Sequence, residues 1–109
     1  MSDSQALLTR DISRDQLLAD LRALRPVFER EGVAHMALFG SRARGDHRPD
    51  SDVDLLVDVE PGRKFSLIEM AGIANAVEDT IGLMGNVTLR RSARSELLGE
   101  ARRDGIVIF

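Results

Sequence analysis

The sequence predicts an α/β or α+β domain in which helices pack on one small mixed β-sheet. Two segments carry apolar residues at helical spacing, several short apolar runs are typical of strands, and Gly or Pro separates most of these segments. The predicted order is helix, strand, strand, helix, strand, helix, strand. A length of 109 residues suits one domain, so we expect residues 1–109 to form a single domain that begins with a loose segment over 1–12.

The first helix is predicted to begin after Ser13, since Gln16 three residues later completes a capping-box pattern. Leucines then follow at helical spacing. Pro26 should break this helix because it lacks a backbone N–H, and a second short helix is expected from Pro26 to Glu31, with Gly32 as its stop. The leucines of the first helix are Leu17, Leu18, Leu21 and Leu24.

Two strands are expected in the middle of the chain, at 33–39 and 53–59. The second strand alternates, which places Val53, Leu55, Val57 and Val59 on one face. Between the strands, Gly40-Ser41 ends the first one, and residues 42–51 are polar and expected to be mostly loop.

The second half of the chain predicts a helix, a strand, a helix and a final strand. Ser66 and Glu69 form another capping-box pattern, and Gly82 is a plausible cap at the far end. The later elements are expected at 86–89, at 92–103 and at 106–109. The predicted buried face of the long helix comprises Leu67, Met70, Ala71, Ala74, Val77 and Ile81.

Composition excludes several classes of protein. The chain has no Cys, so a disulfide or a thiolate metal site is impossible, and a reducing cytoplasm is the expected location. We expect no signal peptide, because the first five residues show no basic start followed by an apolar run. We expect no membrane association, because no apolar run approaches the roughly 20 residues of a membrane span. The net charge of −3 argues against direct binding of DNA or RNA, which favours a basic surface.

Two carboxylates form the first candidate site. Asp52 and Asp54 are two residues apart in an extended segment, so both side chains point to the same face, roughly 6–7 Å apart. Carboxylates at this spacing can share one hard cation such as Mg²⁺. Taken alone, the pattern also fits an ordinary turn that leads into a strand.

The second candidate site directly follows the first strand. Gly40 allows the backbone to turn sharply beside a ligand, and Ser41 offers a hydroxyl and N–H groups of the kind that bind phosphate. Arg42 and Arg44 add positive charge. Each feature alone is more often a simple turn or a solvated loop. A strand, Gly-Ser, ten intervening residues and Asp-x-Asp in a second strand form a much more specific combination.

The runs Leu38-Phe39-Gly40-Ser41-Arg42-Ala43-Arg44-Gly45 and Ser51-Asp52-Val53-Asp54-Leu55-Leu56-Val57 resemble the signature of DNA polymerase β-like nucleotidyltransferases. More closely, they resemble the minimal nucleotidyltransferases that act as antitoxins to HEPN-domain ribonuclease toxins, and the likeness extends to the C-terminal residues 105–109. The resemblance implies a nucleotidyltransferase fold that uses ATP and Mg²⁺ to transfer AMP to a tyrosine of a HEPN toxin. It assigns Gly40 and Ser41 to the triphosphate and Asp52 and Asp54 to the metal.

One position departs from the pattern of that family, which usually has a third carboxylate on a later strand. Alignment on Gly82 and Arg91-Ser92 places Asn86 there. An Asn carbonyl can bind a metal, but it carries no charge and is no useful base near neutral pH. Asp46 and Asp50 on the loop stay open as substitutes, and Asn86 is alternatively an ordinary residue at a strand edge.

Two functions of different kind follow. The chain is either an adenylyltransferase that modifies a toxin, or a catalytically weak module that neutralises the toxin by binding it. Transfer to a small molecule or to RNA is disfavoured, because relatives of that type generally add an acceptor domain and this chain is short and acidic.

Overall fold

The computed structural model describes residues 11–109, whose helices and strands surround a common core. The predicted single domain over 1–109 stays a prediction, since residues 1–10 of the expected loose segment 1–12 lie outside the described range. The helices are α1 (Arg14–Ala23), α2 (Arg25–Arg30), α3 (Ser41–Arg44), α4 (Leu67–Ile81) and α5 (Ser95–Asp104); the strands are β1 (Val33–Phe39), β2 (Val53–Val59), β3 (Gly85–Leu89) and β4 (Ile106–Val107).

The four strands form one mixed sheet, as predicted, and their order in it is β3-β2-β1-β4. β1 pairs antiparallel with both β2 and β4, whereas β2 and β3 are parallel. The registers matter for the site, because Asp54 pairs with Phe39 on one side and with Asn86 on the other. The C-terminal end of β1 and the N-terminal ends of β2 and β3 therefore meet at one edge of the sheet.

The main core lies between one face of the sheet and helices α1, α2 and α4. Alternating residues of β2 point into it: Val53, Leu55 and Val57 share the predicted face and are fully buried. Val59, the fourth residue predicted on that face, is only partly buried at the end of the strand. The opposite face carries Phe39 and Leu56, which are also buried but lie outside the main core, and α5 packs there against β1. This second face is the one on which Asp54 lies.

The predicted helix caps at Ser13 and Ser66 are both present. The Ser13 hydroxyl accepts a hydrogen bond from the Gln16 N–H at 3.1 Å. Glu69 accepts one from the Ser66 N–H at 2.7 Å, which completes a capping box. Pro26 lies in the first turn of α2, where its missing N–H costs nothing, so the break between α1 and α2 falls where the sequence predicts it.

The predicted buried face of α4 was partly wrong. Leu67 is 80% exposed, and Ala71 is exposed as well. Ile73, which the prediction left out, is fully buried beside Val77. The helix is apolar around much of its circumference, so periodicity does not single out one face. Leu67 is also the first residue of the helix, before α4 reaches the sheet.

Three predicted boundaries also need correction. Residues 41–44 form a short helix at the start of the predicted loop. The last helix begins at Ser95 and not at Ser92, because a 3₁₀ turn (Arg90–Ser92) and extended residues precede it. β4 ends at Val107, although Ile108 and Phe109 still exchange backbone hydrogen bonds with Met36. Within the described range, no helix is long and apolar enough to cross a membrane.

Candidate active site

A sharp turn at Gly40 places the end of β1 against the carboxylate of Asp54. Gly40 has φ +76°, a conformation that favours glycine, and a Cβ built on it would overlap Asp54 Oδ2. The carbonyl of Gly40 accepts hydrogen bonds from the N–H groups of Ala43 and Arg44, both at 3.1 Å, and these begin α3. Gly40 is thus required both by the backbone and by the space that the carboxylate occupies.

The two predicted carboxylates lie at the start of β2. Asp52 immediately precedes the strand and is exposed, while Asp54 is its second residue and partly buried. Asn86 lies in register with Asp54 on the neighbouring strand, and its side-chain amide donates a hydrogen bond to Asp54 Oδ1 at 3.1 Å. The structure thus brings Asp52, Asp54, Asn86 and the Gly40-Ser41 turn together at one edge of the sheet.

The environment of Asp54 disfavours its charged form. Burial raises the pKa of the Asp54 carboxyl, the hydrogen bond from Asn86 lowers it, and the negative charges of Asp52 and Glu100 raise it again. The net result is a raised pKa. A cation at Asp52 and Asp54 would remove this repulsion, and two carboxylates plus phosphate oxygens are a typical ligand set for Mg²⁺.

No group of three or more acidic, His or Cys side chains with metal-binding geometry occurs in residues 11–109. The residues present therefore fit a metal that two carboxylates and a nucleotide hold together. They do not fit a metal enclosed by protein ligands alone.

Arg42 is buried and supports the loop between β1 and β2. Its side chain is 0% exposed. It donates hydrogen bonds to the carbonyls of Arg48, Pro49 and Ser51 at 2.9–3.3 Å, and forms a 3.2 Å salt bridge with Asp11. These contacts occupy the guanidinium inside the loop, so its geometry does not support the predicted contact with a nucleotide.

Arg44 lies on the exposed side of the same short helix. Its Nη1 is 2.9 Å from Glu100 and 3.8 Å from Asp104, both on α5, and its Nε is 3.0 Å from Asp46 on the loop. Its positive charge lies close enough to lower the pKa of Asp54, although the raising effects prevail there. Arg44 therefore joins the Gly40-Ser41 turn to the C-terminal helix beside the carboxylates.

Sequence reasoning missed two residues of this region. Asp11 holds Arg42, and Glu100 holds Arg44 and acts on Asp54. Asp11 lies 31 residues from Arg42 and Glu100 lies 56 residues from Arg44, so neither pair is visible as a local motif. The helical pattern of α5 places Glu100 and Asp104 on one face, and this spacing was the local signal that the two carboxylates could share a cationic partner. Asp58 lies on the same face of β2 as Asp54, four residues further along, and accepts from Arg90 at 2.9 Å.

The sequence matches a family of proteins described as the nucleotidyltransferase domain over residues 20–102. The match includes the Gly40-Ser41 turn, both carboxylates and Asn86. The chain belongs to the nucleotidyltransferase domain family.

Within that family the chain is similar to a protein of Thermococcus cleftensis named protein adenylyltransferase MntA. The two are 32% identical over 103 residues, which cover 94% of this chain and 99% of the relative. A solved structure described as a minimal nucleotidyltransferase superposes with a TM-score of 0.73 at 33% identity, and covers 87% of this chain and 95% of that one.

A more distant likeness is to a structure of a tri-AMPylated Shewanella oneidensis HEPN toxin in complex with an MNT antitoxin. Its TM-score is 0.63 at 15% identity, with coverage of 85% of this chain and 71% of that one. At this identity the likeness shows the nucleotidyltransferase fold alone.

Proposed function

We propose that this chain is a Mg²⁺-dependent adenylyltransferase that moves AMP from ATP to a tyrosine of a cognate HEPN-domain toxin in the cytoplasm and so silences it. The name of the Thermococcus relative supports the AMP-transfer step. The fold likeness to an antitoxin bound to a HEPN toxin supports the class of partner.

The contact between Gly40 and Asp54 is the single observation that carries this proposal. A turn that suits phosphate and a carboxylate that suits a metal are in van der Waals contact. A triphosphate at Ser41 would therefore reach a metal at Asp52 and Asp54 without movement of the backbone. The N–H groups of Ala43 and Arg44 bind the Gly40 carbonyl. Those of Ser41 and Arg42 make no backbone hydrogen bond within residues 11–109, so these two can donate to phosphate oxygens.

The reaction is a displacement at the α-phosphorus of ATP. The tyrosine oxygen bonds to that phosphorus, the bond to the bridging oxygen breaks, pyrophosphate leaves, and the phenolic proton passes to solvent. Mg²⁺ would neutralise the developing charge on the phosphate oxygens. Ser41 would orient the triphosphate, Asp52 and Asp54 would hold the metal, and Arg44 would offset charge on the leaving side. Arg42 serves indirectly, since it holds the loop that follows α3.

Mass spectrometry of the partner tests the proposal. The chain is incubated with ATP, Mg²⁺ and the product of a neighbouring HEPN-like gene, and the intact masses of both proteins are measured. We expect one or more AMP additions to the partner, at tyrosine, which disappear with Asp52→Asn. A partner of unchanged mass, with a stable complex still formed, would overturn the transferase proposal.

That last outcome is the second candidate function, an antitoxin that acts by binding alone. Asn86 favours this function. Its side-chain amide donates a hydrogen bond to Asp54, whereas the carboxylate usual in the family at this position would add negative charge for a metal. The two candidates differ in one result: the binding function predicts that Asp52→Asn still neutralises the toxin in cells, whereas the transferase predicts that it does not.

A further inference from the structure

A small groove on the second face of the sheet lies next to the candidate active site. Its volume is about 350 Å³, at the lower end of the range of about 300–1,000 Å³ for ligand pockets. We call it the sheet groove. Its floor is formed by Ala37 and Leu56, its wall by Leu98 and Ala101, and its rim by Arg90 and Arg102.

The strand register fixes where the sheet groove lies. Asp54 pairs with Phe39, and the next row on the same face pairs Leu56 with Ala37. Two residues along a strand span about 6–7 Å, so the floor begins one row beyond Asp54. Ser41 lies two residues beyond Phe39 along the chain, on the opposite side of Asp54 from Leu56. Asp54 is therefore flanked by the Gly40-Ser41 turn on one side and by the sheet groove on the other.

This order matches the geometry of phosphoryl transfer. The attacking and leaving oxygens are roughly in line on opposite sides of phosphorus. If pyrophosphate leaves toward Ser41, the acceptor oxygen must enter from the side of Leu56. Helix α5 connects both sides, because Glu100 binds Arg44 while Ala101, the next residue, lines the sheet groove.

The chemistry of the sheet groove indicates its occupant. The floor and wall are aliphatic, which suits an apolar or aromatic side chain, and the rim carries two guanidinium groups. Arg90 is paired with Asp58, whereas no acidic group lies within salt-bridge distance of Arg102 in residues 11–109. The segment 90–103 holds five arginines and two glutamates, although the whole chain has a net charge of −3. The rim is thus complementary to an acidic segment.

We propose that the sheet groove binds the acceptor polypeptide, as a segment that presents an aromatic side chain flanked by acidic residues. The proposal rests on the proposed function, since it assigns the position of the acceptor in that reaction. Apolar contact with Ala37 and Leu98, which are both partly exposed, holds the ring. Arg102 pairs with a neighbouring carboxylate and sets the direction of approach. Arg44 and the turn at Ser41 take no part in this contact.

Charge reversal at neighbouring arginines of α5 tests the proposal. Arg102 lines the sheet groove, while Arg103 is also exposed and does not line it, so Arg102→Glu and Arg103→Glu form a matched pair. AMP transfer to the HEPN partner is measured at varied partner and varied ATP concentration. We expect Arg102→Glu to raise the KM for the partner about tenfold, with kcat and the KM for ATP nearly unchanged, and Arg103→Glu to have little effect.

Affinity for the unmodified partner, measured without ATP by calorimetry, gives a second readout. Arg102→Glu should weaken it by a similar factor, and Arg103→Glu should not. Equal effects of both variants would overturn the proposal, because they would report general charge. A raised KM for ATP alone would also overturn it, because the nucleoside would then occupy the groove. If the wild type transfers no AMP, the proposed function fails, and the affinity comparison still decides whether the partner binds at the sheet groove.

Discussion

Arg42 and Arg44 lie two residues apart on the same short helix, yet their surroundings are opposite. Arg42 is fully buried and donates to three backbone carbonyls. Arg44 is 36% exposed, and its polar contacts within residues 11–109 are all with carboxylates. Removal of a buried donor leaves several acceptors without partners, while an exposed ion pair contributes little to stability. Arg42 therefore maintains the shape of the site, whereas Arg44 contributes to its charge.

The largest expected effect is on stability, at Arg42. Arg42→Leu should lower the free energy of unfolding by about 3 kcal/mol, because the carbonyls of Arg48, Pro49 and Ser51 and the carboxylate of Asp11 lose their donor. Urea unfolding measures it. Arg48→Leu is the control, since Arg48 takes part through its backbone. Equal midpoints for the two variants would show that Arg42 does not support the loop.

Arg44→Gln should leave the thermal midpoint nearly unchanged but weaken MgATP binding about tenfold, because a positive charge beside the phosphates is lost. Calorimetric titration with MgATP, together with a thermal melt, separates the two effects. A lowered midpoint with unchanged affinity would mean that Arg44 serves only to attach α5.

Asn86→Asp should increase the rate of AMP transfer severalfold and tighten Mg²⁺ binding, because the third carboxylate of the family's pattern is restored beside Asp54. Transfer rates and a metal titration provide independent readouts. An unchanged, measurable transfer rate would show that Asn86 does not occupy the third position.

The smallest expected effect is a gain in stability in Asp54→Asn, whose size depends on pH. The pKa of Asp54 is raised in the folded chain, by burial first, so the folded state binds a proton more readily than the unfolded state. Stability without metal should therefore fall as the pH rises from about 4 through the raised pKa. Asp54→Asn removes this loss, so in EDTA its midpoint should exceed that of the wild type at pH 7.

Acidification should reduce the difference in midpoint between Asp54→Asn and the wild type toward zero, because the side chain at position 54 is then uncharged in both proteins. Asp79→Asn, at an exposed carboxylate of α4, serves as the control. A wild-type midpoint equal to that of Asp54→Asn throughout this range would contradict the account of the electrostatics.

What the sequence could predict depended on how local each feature is. The Gly40-Ser41 turn, Asp52 and Asp54 belong to one short motif, and the helix caps at Ser13 and Ser66 are set within a single turn. These were therefore predictable, as was the mixed sheet. The burial of Arg42 depends on Asp11, and the place of Arg44 depends on α5, so both need the tertiary structure.

Two other features could not be predicted for a different reason. The exposure of Leu67 depends on where α4 begins relative to the sheet, which its apolar pattern does not encode. The sheet groove exists because the strand register aligns Leu56 with Ala37 and α5 covers only part of that face. Neither the register nor the position of α5 is visible in the spacing of residues.

The most direct test of the central claim, that Gly40-Ser41 and Asp52/Asp54 form one nucleotide–metal site, is calorimetric ATP binding with and without Mg²⁺. The wild type should bind ATP at one site only with Mg²⁺, and Gly40→Ala and Asp52→Asn should each weaken binding about 30-fold or more. Gly99→Ala is the matched control, because a methyl there would lie 3.6 Å from Arg103 Nη1. ATP binding that is independent of Mg²⁺, or unchanged in both Gly40→Ala and Asp52→Asn, would contradict the account.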